Sequence, residues 1–207
     1  MYKECTWDER YKAGKEALPW DSGVQAPELE QYFSTLEKMP DNVLEIGCGT
    51  GTNAIWMAQK GCNVIATDLS PSAIDAANEK QKATGTKVEF QVSDIIEKNP
   101  VKAGSIDFVF DRGVFHVMPT ESRRVFIERV VEALSENGYW LCLAGNADEH
   151  RGENEQGPPQ LKLSELVVDA EKLLEIHKVD RASFVLPDGS PKLAWIVLYK
   201  KRTHRYA

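Results

Sequence analysis

The segment Val43-Leu44-Glu45-Ile46-Gly47-Cys48-Gly49-Thr50-Gly51 constrains this chain more than any other. A short apolar run meets three glycines spaced two apart. A stretch with Ala54, Ile55, Met57 and Ala58 at helical spacing follows and stops at Gly61. A strand that turns on glycines into a helix lets a ligand approach bare backbone. The helix start presents its unpaired N–H groups at the same place. Asp68 lies 21 residues after Gly47, at the end of a second strand-like run over 62–67. A carboxylate there can accept bonds from both hydroxyls of a ribose.

The sign of the charge at this turn separates two ligand classes. Dinucleotide sites favour G-x-G-x-x-G, with the helix start against a pyrophosphate. This chain reads G-x-G-x-G, with Glu45 two residues ahead of the first glycine. A carboxylate repels a pyrophosphate and suits a cationic amino or sulfonium group, which favours S-adenosylmethionine over NAD.

Beyond Asp68, strand and helix signals alternate. Ser70 and Pro71 open a helix with Ala73, Ile74, Ala76 and Ala77 along its inner stripe, and Gly85 closes that region. Residues 87–92 and 105–110 read as strands. Residues 120–134 read as a helix ending at Asn137-Gly138, and 139–144 as a fifth strand. A polar loop spans 146–159. Ser164 caps a helix over 165–172. Two strands, within 173–185 and over 193–199, flank a Pro187-Asp188-Gly189 turn and so run antiparallel. The pattern predicts an α/β fold: a Rossmann-like, doubly wound sheet of seven strands, mostly parallel, with an antiparallel terminal strand. Residues 41–207 form the cofactor-binding domain, and residues 1–40 a helical, aromatic-rich extension.

Composition excludes several roles. A net charge of −7 argues against a nucleic-acid footprint, and the basic tail at Lys200, Lys201, Arg202 and Arg205 is too short to reverse it. Cys5, Cys48, Cys62 and Cys142 are scattered without a C-x-x-C pair, so no metal site is expected and a reducing compartment is. Residues 1–10 carry charges of both signs and read as no signal peptide, and no apolar stretch reaches membrane-spanning length. The expected location is cytoplasmic, with no nucleic-acid or membrane partner. The oligomeric state stays open.

Val43 to Gly51, followed by Asp68-Leu69-Ser70, resembles the class I S-adenosylmethionine-dependent methyltransferases over residues 42–200. The resemblance implies S-adenosylmethionine as cofactor and S-adenosylhomocysteine as product. It implies that Glu45, Gly47, Cys48, Gly49 and Gly51 wrap the methionine part of the cofactor. Asp68 would hold the ribose, Leu69 and the pair Asp94-Ile95 would border the adenine, and Asp111-Arg112-Gly113 would lie by the transferred methyl. Trp7-Asp8-Glu9-Arg10-Tyr11, Pro19-Trp20-Asp21-Ser22-Gly23 and Phe110-Asp111-Arg112-Gly113 are together similar to the thiopurine, thiol, halide and tellurite methyltransferase group. That likeness implies an N-terminal segment folded over the cofactor, with Trp7, Tyr11 and above all Trp20 facing it. An aromatic face suits a sulfonium because the ring quadrupole attracts cations.

Candidates for catalysis are Asp111, Arg112 and His116, the last in a loop ending at Pro119. Arg112 suits an anionic acceptor or a thiolate. Each also has a structural reading: Asp111 as a strand-end cap, Arg112 as an ion-pair partner, His116 as an ordinary polar residue. The expected activity is in-line methyl transfer to a small-molecule thiol, halide or metalloid anion, or O/N nucleophile. A binding module without turnover and an NAD-type oxidoreductase stay as alternatives.

Overall fold

The computed structural model describes residues 7–14, 18–152, 155, 157–186 and 189–203. Cys5, the Pro187-Asp188 turn and Arg205 lie outside the described residues. Two short helices come first, α1 (Trp7–Lys12) and α2 (Pro27–Ser34). Next come β1 (Asn42–Ile46), α3 (Thr52–Gln59), β2 (Asn63–Asp68), α4 (Pro71–Lys82), β3 (Val88–Val92) and β4 (Ile106–Arg112). The chain continues through α5 (Thr120–Ala133), β5 (Leu134–Asn146), β6 (Gln160–Leu161), α6 (Leu163–Val167), β7 (Leu174–Val185) and β8 (Pro191–Lys201).

The strands form one sheet in the order β3-β2-β1-β4-β5-β8-β7. Pairing is parallel from β3 to β5 and antiparallel for β5–β8 and β8–β7, as the sequence predicts. Helices cover both faces. On one face Leu29 and Phe33 of α2 pack with Ala54, Ile55 and Met57 of α3, and Tyr32 stacks on Phe108 at 5.1 Å. On the other, Phe126, Ile127 and Val130 of α5 pack on Phe115 and Trp140, and Trp140 stacks on Tyr199 at 4.4 Å. Each apolar stripe thus removes large side chains from water, at about 25 cal/mol per Å² of apolar surface. Among the described residues no helix is long and apolar enough to cross a membrane.

Local structure departs from the sequence reading in four places. The buried stripe of α4 is Ala73, Ile74 and Ala77, while Ala76 faces solvent. The helix α5 ends at Ala133 rather than beyond it, because Leu134 turns extended (φ −63°, ψ 136°) to pair with Ile106. Asn137 and Gly138 lie inside β5, in a bulge between the pairs Ile106–Leu134 and Phe108–Tyr139. A Cβ on Gly138 would stand 2.9 Å from the Ile106 carbonyl, so only glycine allows β4 this close. The helix cap near 164 is Lys162, whose N–H donates to the Glu165 carboxylate at 2.9 Å; α6 then breaks into a 3₁₀ turn, Ala170–Lys172. Finally, the polar loop contains an eighth strand, β6, paired in parallel with Gly145 and Asn146. Two residues are too few to show a period, and a distant group holds them: the Trp195 indole N–H donates to the Leu161 carbonyl at 3.0 Å.

Candidate active site

The order β2-β1-β4 places the switch point of the sheet between β1 and β4, where ligands bind in open α/β folds. A cavity of about 500 Å³ opens there, at the C-terminal ends of β1, β2 and β4. Its roof comes from α1 and the segment around Trp20, from Pro158 and Pro159, and from Phe184 near the end of β7.

The glycine turn is its floor. Gly47 and Gly49 have φ of 69° and 54°, in the left-handed region that favours glycine. The turn is tied to the end of β2: Cys48 N–H donates to the Thr67 carbonyl at 2.8 Å, and Gly49 N–H to Asp68 Oδ2 at 2.9 Å. Asp68 Oδ1 accepts the Ser70 N–H at 2.9 Å, and Ser70 Oγ caps α4 by accepting the Ala73 N–H. Asp68 is buried yet lines the cavity, and burial raises its pKa.

Gly51 stands apart from the cavity wall. A Cβ there would lie 2.7 Å from the Phe90 ring and 2.9 Å from Ala77 Cβ, at φ 78°. Its role is close packing of α3 against α4 and β3. Gly51→Ala is expected to lose about 2–4 kcal/mol of stability, from left-handed backbone plus overpacking. A denaturant midpoint checks this.

Glu45 is 2 % exposed. Its Oε1 accepts from Asn53 Nδ2 at 3.2 Å, and its Oε2 is buried without a hydrogen-bond partner. Burial pushes its pKa up to about 8. An orphaned carboxylate oxygen on the wall asks for a cation or a hydrogen-bond donor, and opposes a phosphate. Cys48 lines the same floor; burial raises its thiol pKa, so it is a neutral wall.

Beyond Asp68 the wall turns apolar, with Leu69 and Ile95 on it. Here the predicted pair is displaced by one residue. Ser93 and Ile95 line the cavity, whereas Asp94 between them does not, and its Oδ1 accepts the Ile96 N–H at 2.8 Å. The chain leaves β3 at Val92, and Asp94 opens the turn that follows, its carbonyl accepting the Glu97 N–H at 3.1 Å. Ser93 Oγ is buried without a partner, a second orphan on this wall.

Alternation along β4 separates Asp111 from Arg112. Asp111 is fully buried off the cavity, and its Oδ1 accepts the Val114 and Phe115 N–H groups at 2.8 and 3.2 Å. Burial pushes its pKa up to about 6, with the Cys142 thiol alongside. Asp111 thus ties down the backbone at the entry to the 3₁₀ turn Phe115–Val117, and it is not among the residues that line the cavity. Arg112 lines the cavity, with its guanidinium 4.8 Å from the centre of the Phe184 ring. Among the described residues it forms no ion pair, and its Nε is buried without a partner. His116 also lines the cavity, and its Nδ1 accepts the Gly145 N–H at 2.9 Å.

The predicted aromatics gather on the roof. Trp20 Nε1 donates to Tyr11 Oη at 3.2 Å, and Trp7 packs edge-on against Trp20 at 5.7 Å. The Arg10 guanidinium stands 5.4 Å from the Trp20 ring centre. The Tyr11 hydroxyl comes within 2.9 Å of where a Gly49 Cβ would be. Asp8 accepts from Ser70 Oγ at 2.7 Å and Ser72 N–H at 2.9 Å, which pins α1 to the start of α4. Lys12 and these donors hold the Asp8 carboxyl well below the usual range.

Asn53, Ser93 and Phe184 are among the wall residues that sequence reasoning missed. Phe184 comes from the C-terminal hairpin, and no local motif ties it to the turn.

A family profile described as "Methyltransferase domain" matches residues 43–138. The chain is 27 % identical over 155 residues to "Probable thiol methyltransferase 2" of Arabidopsis thaliana, covering 74 % of this chain and 65 % of that protein. It is 26 % identical over 179 residues to "Thiopurine S-methyltransferase" of Psychrobacter cryohalolentis, covering 76 % and 78 %. The matches span less than two thirds of the first curated relatives' own length, 55 % and 65 %. Among solved structures, Burkholderia thailandensis 1,6-didemethyltoxoflavin-N1-methyltransferase, with bound 1,6-didemethyltoxoflavin and S-adenosylhomocysteine, superposes with a TM-score of 0.75. It is 15 % identical and covers 97 % of this chain and 87 % of that one, a likeness of fold.

Proposed function

We propose that this chain is a class I S-adenosylmethionine-dependent methyltransferase and moves the methyl group of that cofactor to a small-molecule acceptor, a reading that the matched methyltransferase profile and the methyltransferase relatives support. The observation that carries the reading is the unpartnered Glu45 Oε2 at the glycine turn. That oxygen asks for a cation or a hydrogen-bond donor, which a cationic cofactor supplies and a dinucleotide's pyrophosphate does not.

When bound, S-adenosylmethionine supplies a methyl carbon already activated by positive sulfur. The chain's own residues then bind, orient and keep water out. Asp68 would accept the ribose hydroxyls. Glu45 would face the cationic end, and Leu69, Ser93 and Ile95 would flank the base. Trp20, Tyr11 and Trp7 cover the cavity from one side and Phe184 from another. Holding two reactants in line can supply roughly 7–11 kcal/mol of the barrier. Arg112 and His116, at the cavity end nearest Phe184, are the polar groups assigned here to the acceptor. The names of the thiol and thiopurine relatives support a soft or anionic acceptor here. Three buried free thiols, Cys48, Cys62 and Cys142, support a cytoplasmic setting.

The test is incubation with methyl-labelled S-adenosylmethionine and separate thiols, halides, metalloid anions and phenols. Label should reach at least one acceptor, with equimolar S-adenosylhomocysteine. Tight cofactor binding with no transfer to any of them would instead favour a binding module.

The roof is a lid in this reading. Among the described residues of this roof, Asp8 clips to Ser70 and Asp21 to Thr50, and Trp7, Tyr11 and Trp20 line the cavity. Cofactor should therefore slow amide exchange in 7–22 by at least tenfold while the β1 core changes little. Equal protection with and without cofactor rejects the lid.

A further inference from the structure

His116 has one ring nitrogen already committed. The Gly145 N–H can only donate, and it meets His116 Nδ1 at 2.9 Å, so Nδ1 is the acceptor. A neutral imidazole with an accepting Nδ1 carries its proton on Nε2. That edge of the ring lies by the turn after β4, 3.4 Å from where a Gly113 Cβ would be, and the residue lines the cavity. Phe184 packs edge-on to the ring at 5.9 Å, and its other neighbour across the cavity is the Arg112 guanidinium.

We infer that His116 is a fixed Nε2–H donor, not a general base, and that with Arg112 it selects an acceptor arriving with its reacting heteroatom already ionised. This rests on the methyltransferase reading and assigns His116 a donating, acceptor-positioning role in the same cavity. The acceptor sheds its proton to solvent before it binds. Its lone pair forms the new bond to the methyl carbon, and the electron pair of the broken carbon–sulfur bond stays on the departing sulfur. No proton needs a home on the protein.

The surroundings of His116 agree. Three cations face it: Arg112 at the end of β4, Arg123 on α5 and Arg151 in the loop before β6. The nearby carboxylate, Asp111, is turned to the Val114 and Phe115 N–H groups. Burial, then these cations, push the imidazole pKa down to about 3. A base at that level would capture a proton from a thiol poorly at neutral pH. The donor role asks only that the ring stay neutral.

The experiment uses the full chain saturated with S-adenosylhomocysteine and ¹⁵N-labelled at histidine. Long-range ¹H–¹⁵N spectra, assigned with His116→Gln, report the tautomer. His116 should hold the Nε2–H form from about pH 5 to about pH 8 without titrating. An Nδ1–H form, or protonation within that window, overturns the inference. The ligand probe is 4-nitrothiophenolate, with its S-methyl ether as the uncharged match. The thiolate should shift the His116 Nε2–H signal and lose roughly 10- to 100-fold in affinity in His116→Ala. His116→Gln, which can present an N–H at a similar place, should recover part of that loss. Equal binding of thiolate and ether, or no effect of His116→Ala, overturns it too. Calorimetry with S-adenosylhomocysteine alone is run first: its failure removes the methyltransferase reading, whereas tight binding followed by a titrating His116 removes only this inference.

Discussion

Asp68→Ala is expected to weaken S-adenosylhomocysteine binding by roughly 10²- to 10³-fold, from two hydrogen bonds to a charged acceptor at about 1.5–2 kcal/mol each. Loss of affinity alone would not place the carboxylate at the sugar. Asp68 also holds Gly49 and Ser70, so its removal loosens the turn itself. The 2′-deoxy analogue of the ligand separates the two effects. The wild-type chain should bind that analogue about tenfold more weakly than the parent, the worth of one such bond. Asp68→Ala should bind both alike, because the partner of the missing hydroxyl is gone. A variant that keeps the wild-type discrimination would put the ribose elsewhere, whatever its overall affinity. Calorimetry well below the melting temperature, with the folded fraction checked by circular dichroism, gives the four affinities that this comparison needs.

Most of the frame was legible because it is written in local periods. The run 43–46, the glycines after it and Ser70-Pro71 each mark an element through their own backbone preferences, and each marker holds. Asp68 was legible because a strand end near a glycine turn leaves few places for a carboxylate to go. Asp94 and Asp111 both stand off the cavity wall, for different reasons. The family likeness pointed to the segment; strand alternation sets Asp111 apart from Arg112, whereas Asp94 opens the turn that follows β3. In both segments the carboxylate turned to backbone N–H groups while its neighbour took the cavity. β6 and Phe184 were hidden for a different reason. Their positions are set by contacts across long sequence separations, Trp195 to Leu161 and Phe184 to Arg112 and His116. Such contacts leave no periodic trace. The loop before β6 is tied down by a charge cluster, with Lys192 paired to Glu149 at 3.7 Å and to the exposed Glu155, and Arg151 to Glu149 at 3.0 Å. In the sequence those residues look like an ordinary solvated stretch.

Glu45 should release a proton when the cationic cofactor binds. Without ligand, burial holds its pKa near 8, so at pH 7 about nine-tenths of the population is protonated. A cation set against Oε2 favours the carboxylate and expels that proton. Calorimetry in phosphate and in Tris, which differ in ionisation enthalpy, should therefore return close to one proton released per S-adenosylmethionine at pH 7. Affinity should improve as pH rises toward about 8, by up to tenfold per unit, and then level off. The stability of the free chain should move the other way. A carboxyl whose folded pKa is raised contributes stability that is complete below its unfolded value, near 4.5, and is lost as pH rises through about 8. Glu45→Gln should abolish the proton release, flatten both pH dependences from this group, and bind cofactor roughly 10- to 100-fold more weakly. Comparing the two ligands then locates the cation. S-adenosylhomocysteine keeps the ammonium group but lacks the sulfonium charge. Release with both ligands sets Glu45 against the ammonium, and release with S-adenosylmethionine alone sets it against the sulfonium. Release with neither would remove the electrostatic reason for assigning this turn to a cationic nucleoside.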